Sequence, residues 1–356
     1  MRHRRTTAAV GLAVGAVLAT ATTAPAWGSG TPAPPTVTEI ASGLQGPLQL
    51  DVHAPGRAYT GQTTSGTLTS IALDGTKKDL LTVKGEVAGV AARPHGVAFT
   101  FTGGTKKQPL AQLWWRSDDG KTRIVAGLRR FERLNNPDHR NRYGFLNLSN
   151  ACAKQVPKQI GGEPYRGMID SHPYALANAR HGWLVADAGG NDILRVRFNG
   201  KVRVVAVLPP QRLTVTADIA TSLNLPDCTV GKVYAFEPVP TDVQRSPEGL
   251  VVSLLPGGPE DPSLGARGKV VRIDQDAKVQ VLAKGVAGAV NVAVTPRGAI
   301  YVAELFANRV SVVDPTTKSV TPYVDLNQPG GLDWWDGTLY ATRDVLGSNG
   351  SLVSIG

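Results

Sequence analysis

The chain has 356 residues, with 38 Lys and Arg against 28 Asp and Glu, a formal charge of +10, and 40 Gly and 25 Pro. That basic excess is too scattered for a nucleic-acid binder, which gathers its cations on one face or helix with aromatics for stacking. The densest runs, Arg129-Arg130 to Arg142, Lys77-Lys78 and Lys106-Lys107, fall in a polar segment or beside turns and read as solvated surface.

Arg2, His3, Arg4 and Arg5 form a basic start, Ala8 to Ala19 an apolar stretch, and Ala24-Pro25-Ala26 a small-residue cleavage site. Residues 1–26 are therefore expected to be a signal peptide, 27–36 a flexible linker and 37–356 the mature domain, secreted and monomeric. The apolar stretch falls short of the roughly 20 residues that span a bilayer, and no second candidate span follows it. Outside the cell no glutathione pool keeps thiols reduced, so Cys152 and Cys228 are expected to form a disulfide.

The mature sequence reads as all-β: short runs of Val, Ile, Leu and Tyr between turns, with few helical periodicities. A turn glycine followed by a strand recurs six times, at Gly56, Gly96, Gly182, Gly249, Gly298 and Gly337. Setting aside polar insertions near 131–169 and 217–235, the repeat is about 40 to 50 residues, the length of one four-stranded propeller blade. Five repeats carry a second hairpin, such as IAL-DGTKK-DLLTV and LRVRF-NG-KVRVVAV, with Asp, Asn and Gly in the turns. The sixth lacks its last strand, because the chain stops at Ser351-Leu352-Val353-Ser354-Ile355, while Val37-Thr38-Glu39-Ile40-Ala41 has no hairpin partner. Pairing the two predicts a six-bladed β-propeller of four-stranded blades, closed by an N-terminal strand against the C-terminal strands.

In a propeller the first strand of each blade lines the axis. Counting back from the turn glycines gives Gln49, Gly89, Ala175, Asp242, Asn291 and Gly330 as equivalent positions. Asp242 and Asn291 on adjacent strands are candidate Ca²⁺ ligands, with Gln49 completing the set, or else they bond local backbone. In Asp170-Ser171-His172-Pro173-Tyr174, Asp170 and His172 are spaced as a general base and its orienter. The candidate ligand-binding residues are Gln49, His172 and Tyr174. No G-x-S-x-G surrounds Ser171, so it is no nucleophile. Asp187 to Asp192 and Glu304 to Arg309 occupy one place in two repeats, where the acid and Asn are expected to bond backbone amides between the second and third strands.

The run DSHPYALANARHGWLVADAGGNDILRVRFNGKVRVVAVLPP (170–210), with RRFERLNNPD, PVPTDV and SLLPGGPEDPSLGARGKVVRI, resembles the ScyD/ScyE family over nearly all of the mature chain. The resemblance implies an exported bacterial propeller related in architecture to NHL-repeat and gluconolactonase-like proteins. Asp170, His172, Asp187 and Asn191 match it as pattern positions, without a catalytic role. Gluconolactonase-like propellers hold a metal on Glu, Asn and Asp of inner strands. Asn291 and Asp242 match two of these, and Gln49 stands nearest the place of the Glu. These readings together lead to an extracellular scaffold that binds a small molecule, glycan or protein, with a Ca²⁺-dependent lactonase as the alternative.

Overall fold

A computed structural model of the chain describes residues 34–259 and 264–356; the predicted signal peptide and most of the linker lie outside the described residues. Almost all regular structure is antiparallel sheet, in seven sheets of four strands each among the described residues.

Six sheets follow one plan, each running through its strands in order by hairpins. Their first strands are Asp51–His53, Gly85–Arg93, Pro173–Ala179, Pro240–Ser246, Ala289–Val294 and Leu332–Trp335; the sheets are called 1 to 6 in that order. Each first strand packs beside the next, and that of sheet 6 returns to that of sheet 1. The five hairpins expected from the sequence all form. Sheet 6 takes its fourth strand from the other end of the chain: Val37–Leu44 pairs antiparallel with Gly350–Ile355. Its edge is thereby covered.

Small residues set how closely the sheets approach. A Cβ on Gly61 would stand 2.3 Å from the Ala88 carbonyl oxygen, and one on Gly89 would stand 2.8 Å from the Ala175 carbonyl carbon. Both neighbours are backbone, which cannot swing aside. Gly61→Ala and Gly89→Ala are therefore each expected to cost about 1 to 3 kcal/mol in urea unfolding, the usual penalty of overpacking. A loss below about 0.5 kcal/mol would show that the first strands have room to spread.

The two insertions depart from the sequence reading, which took them as polar excursions. With the residues just ahead of the second, they build the seventh sheet, in the order Tyr165–Arg166, Arg142–Phe145, Val233–Phe236, Gln211–Thr214. Phe145, Val156, Val215, Ala220 and Leu225 form a separate apolar core beneath it, with Tyr234 edge-on to Phe145 at 5.0 Å. The bridge Cys152–Cys228 joins the two insertions across 76 residues. Neither insertion alone contains a core, and so each reads as polar by itself.

Candidate functional site

The axial ring is only partly as counted from the sequence. Gln49, Asn291 and Asp242 are all buried. Gln49 Nε2 donates to the Thr241 carbonyl at 3.0 Å, and Asn291 Nδ2 donates to Gln49 Oε1 at 3.0 Å. Since Thr241 belongs to sheet 4 and Gln49 precedes the first strand of sheet 1, this side chain crosses between opposite members of the cycle. The strand of sheet 4 is bulged between Pro240 and Asp242, so Thr241 meets Gln49 and Asp242 turns aside. At sheet 6, Gly331 rather than Gly330 lies against the Gln49 backbone.

Asp242 joins sheets. Its Oδ2 accepts the Val292 amide of sheet 5 at 3.1 Å and its Oδ1 accepts the Val243 amide at 2.7 Å. Asp51 accepts Ala92 N, Asp333 accepts Val52 N, and Asn291 Oδ1 accepts Leu332 N. Apart from the Asp242–Val243 bond, each runs from a first strand to its neighbour in the cycle, which satisfies amides that the tight packing would strand away from water. Burial raises the Asp242 pKa to about 7 against the opposing pull of the Val292 and Val243 amides.

These contacts do not fit the metal set of the gluconolactonase-like pattern. Both ends of the Asn291 amide and both ends of the Gln49 amide are engaged by protein. Among the described residues, no three His, Cys, Asp or Glu side chains are drawn together as a metal-holding group.

The second candidate lies where the chain arrives at the first strands of sheets 2 and 3. Glu86 is the second residue of Gly85–Arg93, and His172 immediately precedes Pro173–Ala179, so both sit at the same mouth of the cycle. His172 Nε2 is 2.8 Å from Glu86 Oε2, with side-chain exposures of 38% and 24%. Tyr174 stands edge-on to the imidazole at 5.7 Å. Burial opposes the charged imidazole, but the hydrogen bond and charge of Glu86, with Asp187 and Asp170 behind, outweigh it and raise the pKa. Asp170 is not the orienter: its Oδ1 accepts the Ser171 amide at 2.9 Å. The true partner, Glu86, is 86 residues away, and only its matching place at the start of a first strand could have pointed to it.

Asp187 fixes the backbone beneath this pair. It accepts Ser171 Oγ at 2.6 Å, His172 N at 2.7 Å and Gly190 N at 3.1 Å. Glu304 does the same in sheet 5, accepting Ala287 N at 2.9 Å. Asn191 and Asn308 both adopt left-handed backbone, φ 54° and 52°, and their Oδ1 atoms accept Val239 N and Gln328 N on the way to the next sheet. The structural role expected for these two segments is what the geometry gives.

Sequence reasoning missed a group of buried acids behind Asp187. Glu132, on helix Leu128–Asn135 of the first insertion, Asp138 and Asp192 are all at most 2% exposed. Burial first, then Asp187 and Asp138, raises Glu132 to about 8; burial, then Asp187 and Glu132, holds Asp192 well above the usual carboxylate range. The helix that brings Glu132 here belongs to an insertion that carries no repeat signature, and nothing in the repeat itself signals it.

No protein-family model matches the chain, and no curated protein matches it in sequence. Solved structures do match in fold. A gluconolactonase from Xanthomonas campestris is 12% identical, with a TM-score of 0.53, covering 90% of each chain. A streptogramin B lyase is 13% identical, with a TM-score of 0.50, over 90% of this chain and 97% of its own. A luciferin-regenerating enzyme is 10% identical, with a TM-score of 0.51, over 90% of this chain and 95% of its own. At these identities the likeness shows a β-propeller fold alone.

Proposed function

We propose that this is an exported six-bladed β-propeller of the ScyD/ScyE type that serves as an extracellular binding scaffold. Its ligand, a glycan or small polar molecule, would be taken at the mouth carrying Glu86, His172 and Tyr174. The observation behind this reading is the hydrogen-bonded crossing of the axis by Gln49 and Asn291. It occupies the place where a channel metal would polarise a carbonyl and activate water. The partly exposed His172–Glu86 pair instead offers a donor and an acceptor at one surface, with an aromatic edge beside them. The signal-like N-terminus and the disulfide agree with export.

The alternative, a Ca²⁺-dependent lactonase working through Asp242, Asn291 and Gln49, draws on the gluconolactonase likeness, which is one of fold. Both readings meet in one experiment. The purified mature chain is screened by calorimetry against oligosaccharides and sugar lactones, and for hydrolysis of the lactones with Ca²⁺, Mn²⁺ or Zn²⁺ added. Binding without turnover is expected, weakened at least about tenfold in His172→Ala and Glu86→Gln, the loss of roughly one charged hydrogen bond. Metal-dependent turnover that disappears in Asp242→Ala would establish the lactonase instead.

A further inference from the structure

The fold gathers cations that lie far apart in the sequence. Where sheets 1 and 2 face each other, a groove of about 630 Å³ opens between them. Tyr59, Ser70 and Lys78 stand opposite one another across the second, third and fourth strands of sheet 1, and Arg57, two residues before Tyr59, takes the same face. Sheet 2 answers with Val97 and Arg116, also partners in register. Tyr59, Leu80 and Val97 continue the apolar core between the two sheets and give the groove its floor, while Arg57, Lys78 and Arg116 line its walls.

These three cations are uncompensated. None of them enters an ion pair among the described residues. The Arg57 guanidinium reaches only Ser70 Oγ, at 3.5 Å. Arg116 Nη1 donates to the Gly120 carbonyl at 2.6 Å and to Thr122 Oγ1 at 3.1 Å, which fixes the plane of the group and leaves its Nη2 edge open. Arg93 also borders the groove but turns its guanidinium to the Ala179 and Gly182 carbonyls of sheet 3, beside the Trp183 ring, so it adds little there. Of the two acids at the rim, Asp119 is held by Lys121 and Ser117, which sets Asp118 against three cations.

We propose that this groove binds an acidic oligosaccharide, its sugar rings on the apolar floor and its carboxylate or sulfate groups on Arg57, Lys78 and Arg116. The volume falls within the roughly 300 to 1,000 Å³ of small-ligand sites. Arg57 and Lys78 stand on strands two apart, about 10 Å across the sheet, with Arg116 on the other wall. Charges so spread favour a ligand with anions on successive rings over a single phosphate, and each guanidinium meets a carboxylate or sulfate through two parallel N–H donors. Tyr59 is half-buried and the one Tyr, Trp or Phe in the groove. It can floor a sugar but cannot stack a run of bases, which sets the site apart from a nucleic-acid channel. The strand Gly85–Arg93 runs from Glu86 at one mouth of the cycle to Pro94 and His95 beside the groove, so this site is separate from the one carrying His172 and independent of the reading above.

The test is calorimetric titration of the mature chain with hexagalacturonate, a sulfated hexasaccharide, neutral maltohexaose, inorganic phosphate and a short oligothymidylate. One acidic sugar per chain is expected, bound at least about tenfold more tightly than any of the other three probes, and the better of uronate and sulfate identifies the anion. Arg57→Gln with Lys78→Gln should weaken it at least about tenfold, the loss of two charged hydrogen bonds, with Tm unchanged because both side chains are exposed. Lys106→Gln with Lys107→Gln removes the same charge from an exposed turn of sheet 2; it and His172→Ala should each leave the affinity within about twofold, since distant exposed charges are screened. Equal affinities in the two double variants, loss of binding in His172→Ala, an oligothymidylate that binds as tightly as the acidic sugars, or no binding of either acidic sugar at millimolar concentration overturns the proposal.

Discussion

Replacing Cys152 and Cys228 together by Ala is expected to lower the unfolding free energy by about 4.5 kcal/mol, the chain-entropy value for a closure of this length. The bridge spans 76 residues, and the segment it closes contains the whole of sheet 3. What it holds would otherwise be weakly joined. Arg142–Phe145 and Val233–Phe236 pair at only two positions, Gly144 with Ala235 and Phe145 with Tyr234. The helices Asn150–Ala153 and Ala217–Ser222 are 4 and 6 residues long, too short to persist unaided. The loss should therefore be local first. Hydrogen exchange is expected to show residues 142–166 and 211–236 opening well before sheets 1, 2, 5 and 6. A double variant within about 1 kcal/mol of the wild type, with those segments still protected, would mean that the small core around Phe145 holds the insertions without the bridge.

The architecture was readable because each repeat is built from local signals. A turn glycine with positive φ, as at Gly56 and Gly337, and a polar hairpin recur whether or not the repeats touch. The seventh sheet was not readable, since its strands come from two insertions flanking sheet 3, and its apolar residues converge only after both have folded back. The site divides in the same way. Asp187 with Asn191 and Glu304 with Asn308 were legible as backbone anchors because spacing and register repeat. The His172 partner was not, because Asp170 is near in sequence while Glu86 is near in space. Asp242 and Asn291 were rightly placed on neighbouring first strands. Which way each side chain turns depends on the bulge at Pro240/Asp242, which the sequence does not announce.

Stability is expected to fall as pH rises from 4.5 to 7.5, with Asp242 responsible for about 3 kcal/mol of the fall. Its carboxyl is buried and titrates at about 7 in the native protein, against 3.8 for an ordinary aspartate. The native state thus keeps a proton that the unfolded chain releases, and the stabilisation is complete below pH 4 and is lost as pH climbs toward 7. At about 1.4 kcal/mol per pH unit, the roughly two and a half units between pH 4.5 and the native pKa, with the slope tapering at either end, give the figure above. Glu132, His172 and Asp187 are raised as well and bend the profile the same way, so the measurement is a difference: urea unfolding of wild type and Asp242→Asn at pH 4.5, 6.0 and 7.5 in chelator. The variant should lose less with rising pH. It should also start lower at pH 4.5, because an amide nitrogen cannot accept an N–H, and either the Val292 or the Val243 amide would go unpaired. Parallel profiles would show that Asp242 stays ionised in the fold and that the two amides outweigh its burial.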